Sequence, residues 1–234
     1  MASSASLFQP EYWWYRARSE LLRTVLEPYL GTPARLLDVG SADGPSVTWM
    51  RQSGGHRIAL DVDMDALAPG DVCASALALP FRDDSFDVVT ALDVVEHCEP
   101  EAQVLSELLR VLRPDGRLLL SVPAYQWAWT QFDVDAGHYR RYTRKRLVRA
   151  VEAAGATVER ATYIFATTLP LFAAERIGRK LRRPAREPAS LPEVSPAVER
   201  TLMTLCRMDR WLLSRRDLPF GSSVVLAATK PAAN

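Results

Sequence analysis

The feature that narrows the fold most is an alternation, through the middle of the chain, of short continuously apolar runs with amphipathic stretches of helical period. Runs such as Leu118-Leu119-Leu120 and Val88-Val89 show no polar alternation, the pattern of strands buried on both faces. Strands are expected over residues 35–39, 56–62, 71–74, 86–92, 116–122, 157–164 and 222–230, and helices over 45–52, 100–112 and 143–154. In the second helix Val104, Leu105, Leu108, Leu109 and Leu112 make one apolar stripe, which Arg113-Pro114-Asp115-Gly116 ends. The third opens on Thr143, a hydroxyl N-cap, and stops at Gly155. This order predicts an α/β fold, a Rossmann-like seven-strand, mostly parallel sheet with helices on both faces.

Three segments exceed what such a sheet needs. Residues 8–30 read as an N-terminal cap helix rich in aromatics (Tyr12, Trp13, Trp14, Tyr15), and residues 123–142 as a long loop holding Tyr125, Trp127, Trp129, Phe132, His138 and Tyr139. Residues 165–221 read as an inserted helical cap: a linker broken by Pro184, Pro188, Pro192 and Pro196, then a helix with Val198, Leu202, Leu205 and Leu212 on one face. The expected organisation is one domain over 1–234, with the core sheet in 35–164 and 222–230. Ligands in open α/β sheets bind at the carboxyl ends of the strands, where these extra segments gather.

Composition excludes other classes. Of 234 residues, 48% are hydrophobic and 24% charged, which rules out a disordered tail and a collagen-like repeat. The three cysteines (Cys73, Cys98, Cys206) are widely spaced and form no CxxC pair, which disfavours a disulfide framework or zinc ribbon and suits a reducing cytoplasm. No apolar run reaches the roughly 18 residues of a membrane span, and Met1–Ser6 lacks the features of a secretory signal. A net charge of +1 hides an asymmetry. Residues 138–149 and 176–186 hold twelve basic side chains and no acidic ones, leaving 17 basic against 28 acidic residues elsewhere. Solvated helix faces are the plain reading of those runs. The apolar stretch 163–174 leading into the second run also fits a peripheral contact with anionic membrane, at the inner face, or the cover of a lipid-phosphate acceptor.

The most informative stretch is Leu36-Leu-Asp-Val-Gly-Ser-Ala-Asp-Gly44, an apolar strand running into a small-residue turn that opens a helix. Small residues let the backbone approach a ligand, and a helix start offers unpaired N–H groups. A G-x-G-x-x-G dinucleotide fingerprint fits poorly, because Ala42 and Pro45 replace the later glycines; no phosphate-loop Lys follows either.

Asp38, Gly40, Ser41 and Gly44 resemble instead the first motif of class I S-adenosylmethionine (SAM)-dependent methyltransferases of the small-molecule type, with Ala42 in place of the central Gly. The resemblance extends through Ala76-Leu-Ala-Leu-Pro-Phe81 and Asp84-Ser-Phe-Asp-Val-Val, Leu92-Asp-Val-Val-Glu-His97, and Leu112-Arg-Pro-Asp-Gly-Arg-Leu-Leu-Leu120. It implies SAM as cofactor, with Asp61 (Asp63 the substitute) holding the ribose hydroxyls beside Val62. It places Ser75 and Ala76 at the adenine, Ser75 standing where the family usually has an acid, and Leu92 and Asp93 beneath the cofactor. Glu11-Tyr-Trp-Trp-Tyr-Arg-Ala-Arg18 resembles the capping helix of one bacterial subgroup, which implies Trp14 over the cofactor and Arg18, or Arg16, paired with the methionine carboxylate. Residues 122–143 and 218–223 resemble that subgroup as well.

His138, in the long loop with Asp133 and Asp135 nearby, is the first choice for a general base, and His97 is the second catalytic candidate. The spacing Asp93-x-x-Glu96-His97 resembles a divalent-metal cluster of quinone-pathway O-methyltransferases, which implies Mg²⁺ as a further ligand. The acceptor is expected to be an oxygen of a small molecule, glycan or lipid-linked intermediate, in a monomer or homodimer. RNA- or other N-directed methylation and a non-catalytic SAM-fold binding module are the alternatives. Nucleic acid is disfavoured because Leu92-Asp-Val-Val stands where amine methylation of bases requires an Asn/Asp-Pro-Pro-Tyr run.

Overall fold

The computed structural model describes residues 11–41, 48–52, 54–181 and 194–232. Its helices are α1 (Trp13–Leu30), α2 (Glu101–Val111), α3 (Gln131–Asp135), α4 (Arg144–Ala153), α5 (Leu169–Leu181) and α6 (Pro196–Leu213). Seven strands, β1 (Arg35–Val39), β2 (His56–Asp61), β3 (Val72–Cys73), β4 (Phe86–Leu92), β5 (Leu112–Pro123), β6 (Thr157–Ile164) and β7 (Ser223–Thr229), form one sheet in the order β3-β2-β1-β4-β5-β7-β6. The β1–β5 pairs are parallel, and β7 runs antiparallel to both neighbours. The expected α/β sheet is therefore present, with its reversal between β1 and β4, the point where open sheets offer a crevice.

The apolar runs explain the core. Val89, Leu118, Leu119 and Leu120 are fully buried between helix layers. On one face α1 buries Leu21, Leu22, Val25 and Leu26, residues three and four apart, against β5 and β7. On the other, α2 buries Val104, Leu105 and Leu108, and α4 buries Leu147 and Val151. Thr143 caps α4, its hydroxyl accepting the Arg146 N–H at 3.3 Å.

Several expectations need adjustment. β5 begins at Leu112 rather than 116: the chain enters the sheet directly from α2, and a bulge absorbs the Arg113–Gly116 turn between the Phe86↔Leu112 and Val88↔Arg117 pairs. The helix expected over 45–52 appears as a 3-10 turn at Thr48–Gln52, and residues 42–47 lie outside the described residues. Of the linker prolines, Pro196 is the first residue of α6, where its missing N–H costs nothing. The buried line of α6 is Leu202, Cys206, Asp209 and Leu213; Val198, expected inside, is 47% exposed. The helix lies on α1, a shallow neighbour that covers only a narrow stripe. The first basic run is not wholly a solvated face, since Arg140 and Arg141 are buried and serve the loop described below.

Two adjacent glycines lead into β2 with left-handed backbone, Gly54 (φ +82°) and Gly55 (φ +78°). A Cβ on Gly54 would meet nothing within 4 Å, whereas one on Gly55 would sit 2.0 Å from the Pro33 carbonyl oxygen. Gly54→Ala is expected to cost about 1–2 kcal/mol from backbone strain alone, and Gly55→Ala distinctly more. Urea unfolding of both variants checks this, and equal losses would contradict the close approach.

Candidate functional site

The carboxyl ends of β1, β2 and β4 build one side of the site. Asp38, 2% exposed, accepts from Arg57 Nη2 on β2 at 2.7 Å and from Thr90 Oγ1 on β4 at 2.7 Å. One carboxylate thus ties three strands together directly beneath the turn that follows β1. In that turn the Gly40 and Ser41 N–H groups both reach the Leu60 carbonyl, at 2.7 and 3.3 Å. Gly40 has φ +73°, and a Cβ there would lie 2.2 Å from Val94 Cγ2, so only glycine lets the turn pack on the segment after β4. Ser41 is buried; Gly44 lies outside the described residues.

Asp61 ends β2 beside this turn and is largely buried, its Oδ1 accepting the Asp63 N–H at 2.9 Å. Asp63 is engaged elsewhere, as the N-cap of the short turn Met64–Ala66, where it accepts the Asp65 N–H at 3.1 Å. Val62 is exposed. The Asp61 carbonyl accepts the Ala74 N–H at 3.0 Å, which brings the segment holding exposed Ser75 and buried Ala76 alongside. The Ser75 hydroxyl accepts the Leu77 N–H at 3.2 Å. An acidic strand end beside a bare glycine turn fits a nucleoside: the carboxylate can accept from vicinal hydroxyls, and the turn leaves room for close approach.

α1 supplies the adjoining wall. Arg18, 1% exposed, donates from Nη2 to Asp93 Oδ2 at 2.9 Å and to Ser121 Oγ at 3.0 Å, while Ser121 Oγ donates to Asp93 Oδ1 at 2.8 Å. Asp93 follows β4 with φ +59°. The Arg18 guanidinium lies 5.6 Å from the Trp14 ring centroid, and Trp14 stacks on Phe165 at 5.9 Å with planes 8° apart. Arg16 turns away to pair with Glu199 of α6 at 3.2 Å. Arg18 therefore faces the site and Arg16 does not. Leu92 is buried at the end of β4.

The third side is the loop after β5. Tyr125 N–H donates to the Tyr142 carbonyl at 2.7 Å and Tyr142 N–H to the Pro123 carbonyl at 2.9 Å, closing the loop at its base. Within it Asp133, fully buried, accepts from Arg141 Nε at 2.7 Å and from the Thr130 N–H at 2.9 Å, and bonds His138 Nδ1 at 2.9 Å. Burial opposes ionisation of Asp133, but the bonds from His138 and Arg141 outweigh it and hold the carboxyl at about 2. Asp135 is not the orienting acid, as it accepts from Gln131 Nε2 instead. Arg140 donates to the Cys98 carbonyl at 2.6 Å and pairs with Glu99, pinning the loop to the segment after β4. His97 meets His138 edge to face, centroids 4.5 Å apart; desolvation and the neighbouring His138 lower its pKa, so it stays uncharged at neutral pH.

The sequence singles out Asp133, His138, His97 and Glu96 but not what connects them. Arg141 looks there like one member of a basic run, and Ser121 like an ordinary strand residue. The signal is present in both, a charged or polar residue at the carboxyl end of β5 or in the loop it feeds. Asp93, grouped with Glu96 and His97 by spacing, is engaged by Arg18 and Ser121 instead.

Comparison with known proteins fits this geometry. Residues 37–120 match a family model described as a methyltransferase domain. A demethylmenaquinone methyltransferase of Mycobacterium tuberculosis is 29% identical over 165 residues, covering 68% of this chain and 66% of that protein. Among solved structures, the [4+2]-cyclase SpnF superposes with a TM-score of 0.60 at 22% identity, covering 92% of this chain and 81% of the other. The 1,6-didemethyltoxoflavin-N1-methyltransferase of Burkholderia thailandensis, solved with S-adenosylhomocysteine bound, gives 0.57 at 16% identity, covering 97% and 84%. The sheet order, the glycine turn above Asp38 and the family match agree: residues 37–120 match a methyltransferase domain, and the fold is that of solved SAM-dependent methyltransferases.

Proposed function

We propose that the chain transfers the methyl group of SAM to an oxygen of a small-molecule, glycan or lipid-linked acceptor, with Asp61 holding the ribose and His138 activating the acceptor. The observation that carries the acceptor side is the Asp133–His138 pair. Asp133 accepts a hydrogen bond from Nδ1–H, which fixes the tautomer and leaves the Nε2 lone pair to accept a proton from a hydroxyl. Arg141, bound to the same carboxylate, keeps Asp133 ionised as positive charge grows on the imidazole.

SAM supplies, when bound, a methyl group on a positively charged sulfur that is already a good leaving group. What remains for the chain is to bind, orient and exclude water. Asp61 and the Gly40 turn hold the nucleoside half, and Ser75 and Ala76 border the adenine. Arg18 and Trp14 close over the methionine half. The fork of a guanidinium serves several acceptors at once, so Arg18 can receive a carboxylate beside Asp93 and Ser121.

Transfer to a carbon is the second reading, favoured by the name of the mycobacterial relative, a demethylmenaquinone methyltransferase. Nuclear magnetic resonance of the product decides, since O-methyl and C-methyl carbons resonate far apart. A lipid-linked acceptor also matches α5, whose Leu171 and Ile177 are exposed near the basic run 176–186; residues 182–193 lie outside the described residues. No described helix is long and apolar enough to cross a membrane, which leaves a peripheral contact.

Asp61→Ala is expected to weaken SAM binding by roughly 1.5–3 kcal/mol, the worth of hydrogen bonds to a charged group. Calorimetry showing wild-type affinity in a folded variant would sink the ribose assignment. His138→Ala is expected to cut turnover by about 10²–10⁴-fold at near-normal SAM affinity, read from steady-state rates once an acceptor is in hand. Loss of SAM binding instead would make the loop a cofactor lid. Co-sedimentation with phosphatidylglycerol vesicles should be seen at low salt and fade as salt is added; a protein that stays in the supernatant has a soluble acceptor.

A further inference from the structure

The two imidazoles converge on a third group. One ligating atom from each of Glu96, His97 and His138 lies within 4.8 Å of the others. They come from two pieces of chain that are already fastened together: the turn Val95–His97 after β4, and the loop carrying His138, whose next residue Tyr139 donates its N–H to the Glu96 carbonyl at 2.8 Å.

Glu96 is the unusual member. It is 0% exposed, and neither carboxylate oxygen has a hydrogen-bond partner among the described residues. Buried polar atoms left in this state cost free energy, and they are rare unless something else satisfies them. Burial, with Asp93 nearby, pushes the Glu96 carboxyl well above the usual carboxylate range.

Both imidazoles are held from behind. His138 gives Nδ1 to Asp133, and His97 is bonded by the backbone of Ala136 and Gly137. His138 therefore keeps Nδ1 committed and Nε2 available, as metal-bound histidines do when a carboxylate fixes the far side of the ring. Two imidazole nitrogens and one carboxylate suit first-row transition ions better than Mg²⁺, which prefers an all-oxygen shell.

We propose that Glu96, His97 and His138 form a site for one divalent first-row transition ion of the Zn²⁺ class, with Asp133 as the positioning residue behind His138. Three protein ligands leave a fourth position open. Glu96 coordinates as the carboxylate. One consequence rests on the function proposed above. The ion takes the same Nε2 lone pair that would receive the acceptor's proton, so a loaded site suppresses turnover.

The test is a calorimetric titration of tag-free, chelator-treated protein with Zn²⁺, with bound metal counted by mass spectrometry. One equivalent is expected, and Glu96→Gln and His138→Gln are each expected to abolish stoichiometric binding. Asp133→Asn is expected to weaken it by about 10–100-fold. Circular dichroism and the melting temperature report whether each variant is folded. A folded wild type that takes up no stoichiometric Zn²⁺, or folded variants that bind as the wild type does, would overturn the site. Turnover followed through the same titration separates the two readings. A fall that tracks occupancy supports both, while a rise leaves the site standing and removes His138 as the base.

Discussion

One buried guanidinium holds the working end of this molecule together. Arg18 reaches from α1 to Asp93 after β4 and to Ser121 near the end of β5, and it lies against Trp14 of its own helix. These three elements share no chain connection shorter than tens of residues, so the contact fixes where the helix lid sits over the strand ends. A buried charge is retained only when its partners are well placed, and removing one partner of such a pair typically costs about 3–5 kcal/mol. Asp38 does the same for the neighbouring strands, joining β1, β2 and β4 through Arg57 and Thr90. The strand-end side of the site thus stands on two carboxylate–guanidinium pairs, each with one member almost fully buried, Arg18 in one and Asp38 in the other.

The sheet is legible in the sequence because strands buried on both faces leave an unambiguous trace, an unbroken apolar run. Every strand but β5 lies within one residue of its expected bounds at each end, and the glycine turn after β1 is visible from its small residues alone. The face of α6 is harder to read, because periodicity marks an apolar side without saying how wide the covering surface is. α1 covers a stripe through Leu202, Cys206 and Leu213 and leaves Val198 outside. The half of the site at the strand ends is legible for a local reason: Asp38, Gly40 and Asp61 sit within short spacings. The other half depends on a loop folding back, and nothing in the spacing of Asp133, His138 and Arg141 says that one carboxylate serves both neighbours.

The basic run 138–149 shows why charge counts mislead. Arg140 and Arg141 are spent inside the protein, on backbone carbonyls, Glu99 and Asp133. Arg146 and Arg144 lie against Tyr142 and Tyr163, centroid distances 5.0 and 5.9 Å. Arginine suits these positions because its planar fork can bond several carbonyls while its face stacks on a ring. Two of the six cations in a run that reads as a surface for anions are the internal bracing of a loop.

The placement of β7 carries a consequence for how the chain is made. β5 and β6 do not pair with each other; each waits for β7, which inserts between them and is separated from β6 by α5 and α6. During synthesis at about 5–20 residues per second, both strands leave the ribosome well before their partner does. For those seconds the nascent sheet ends at β5, with an apolar edge that could pair with another chain. The long connection before β7 therefore sets a window of exposure, and a cell making this protein has to shield that edge until the final strand arrives.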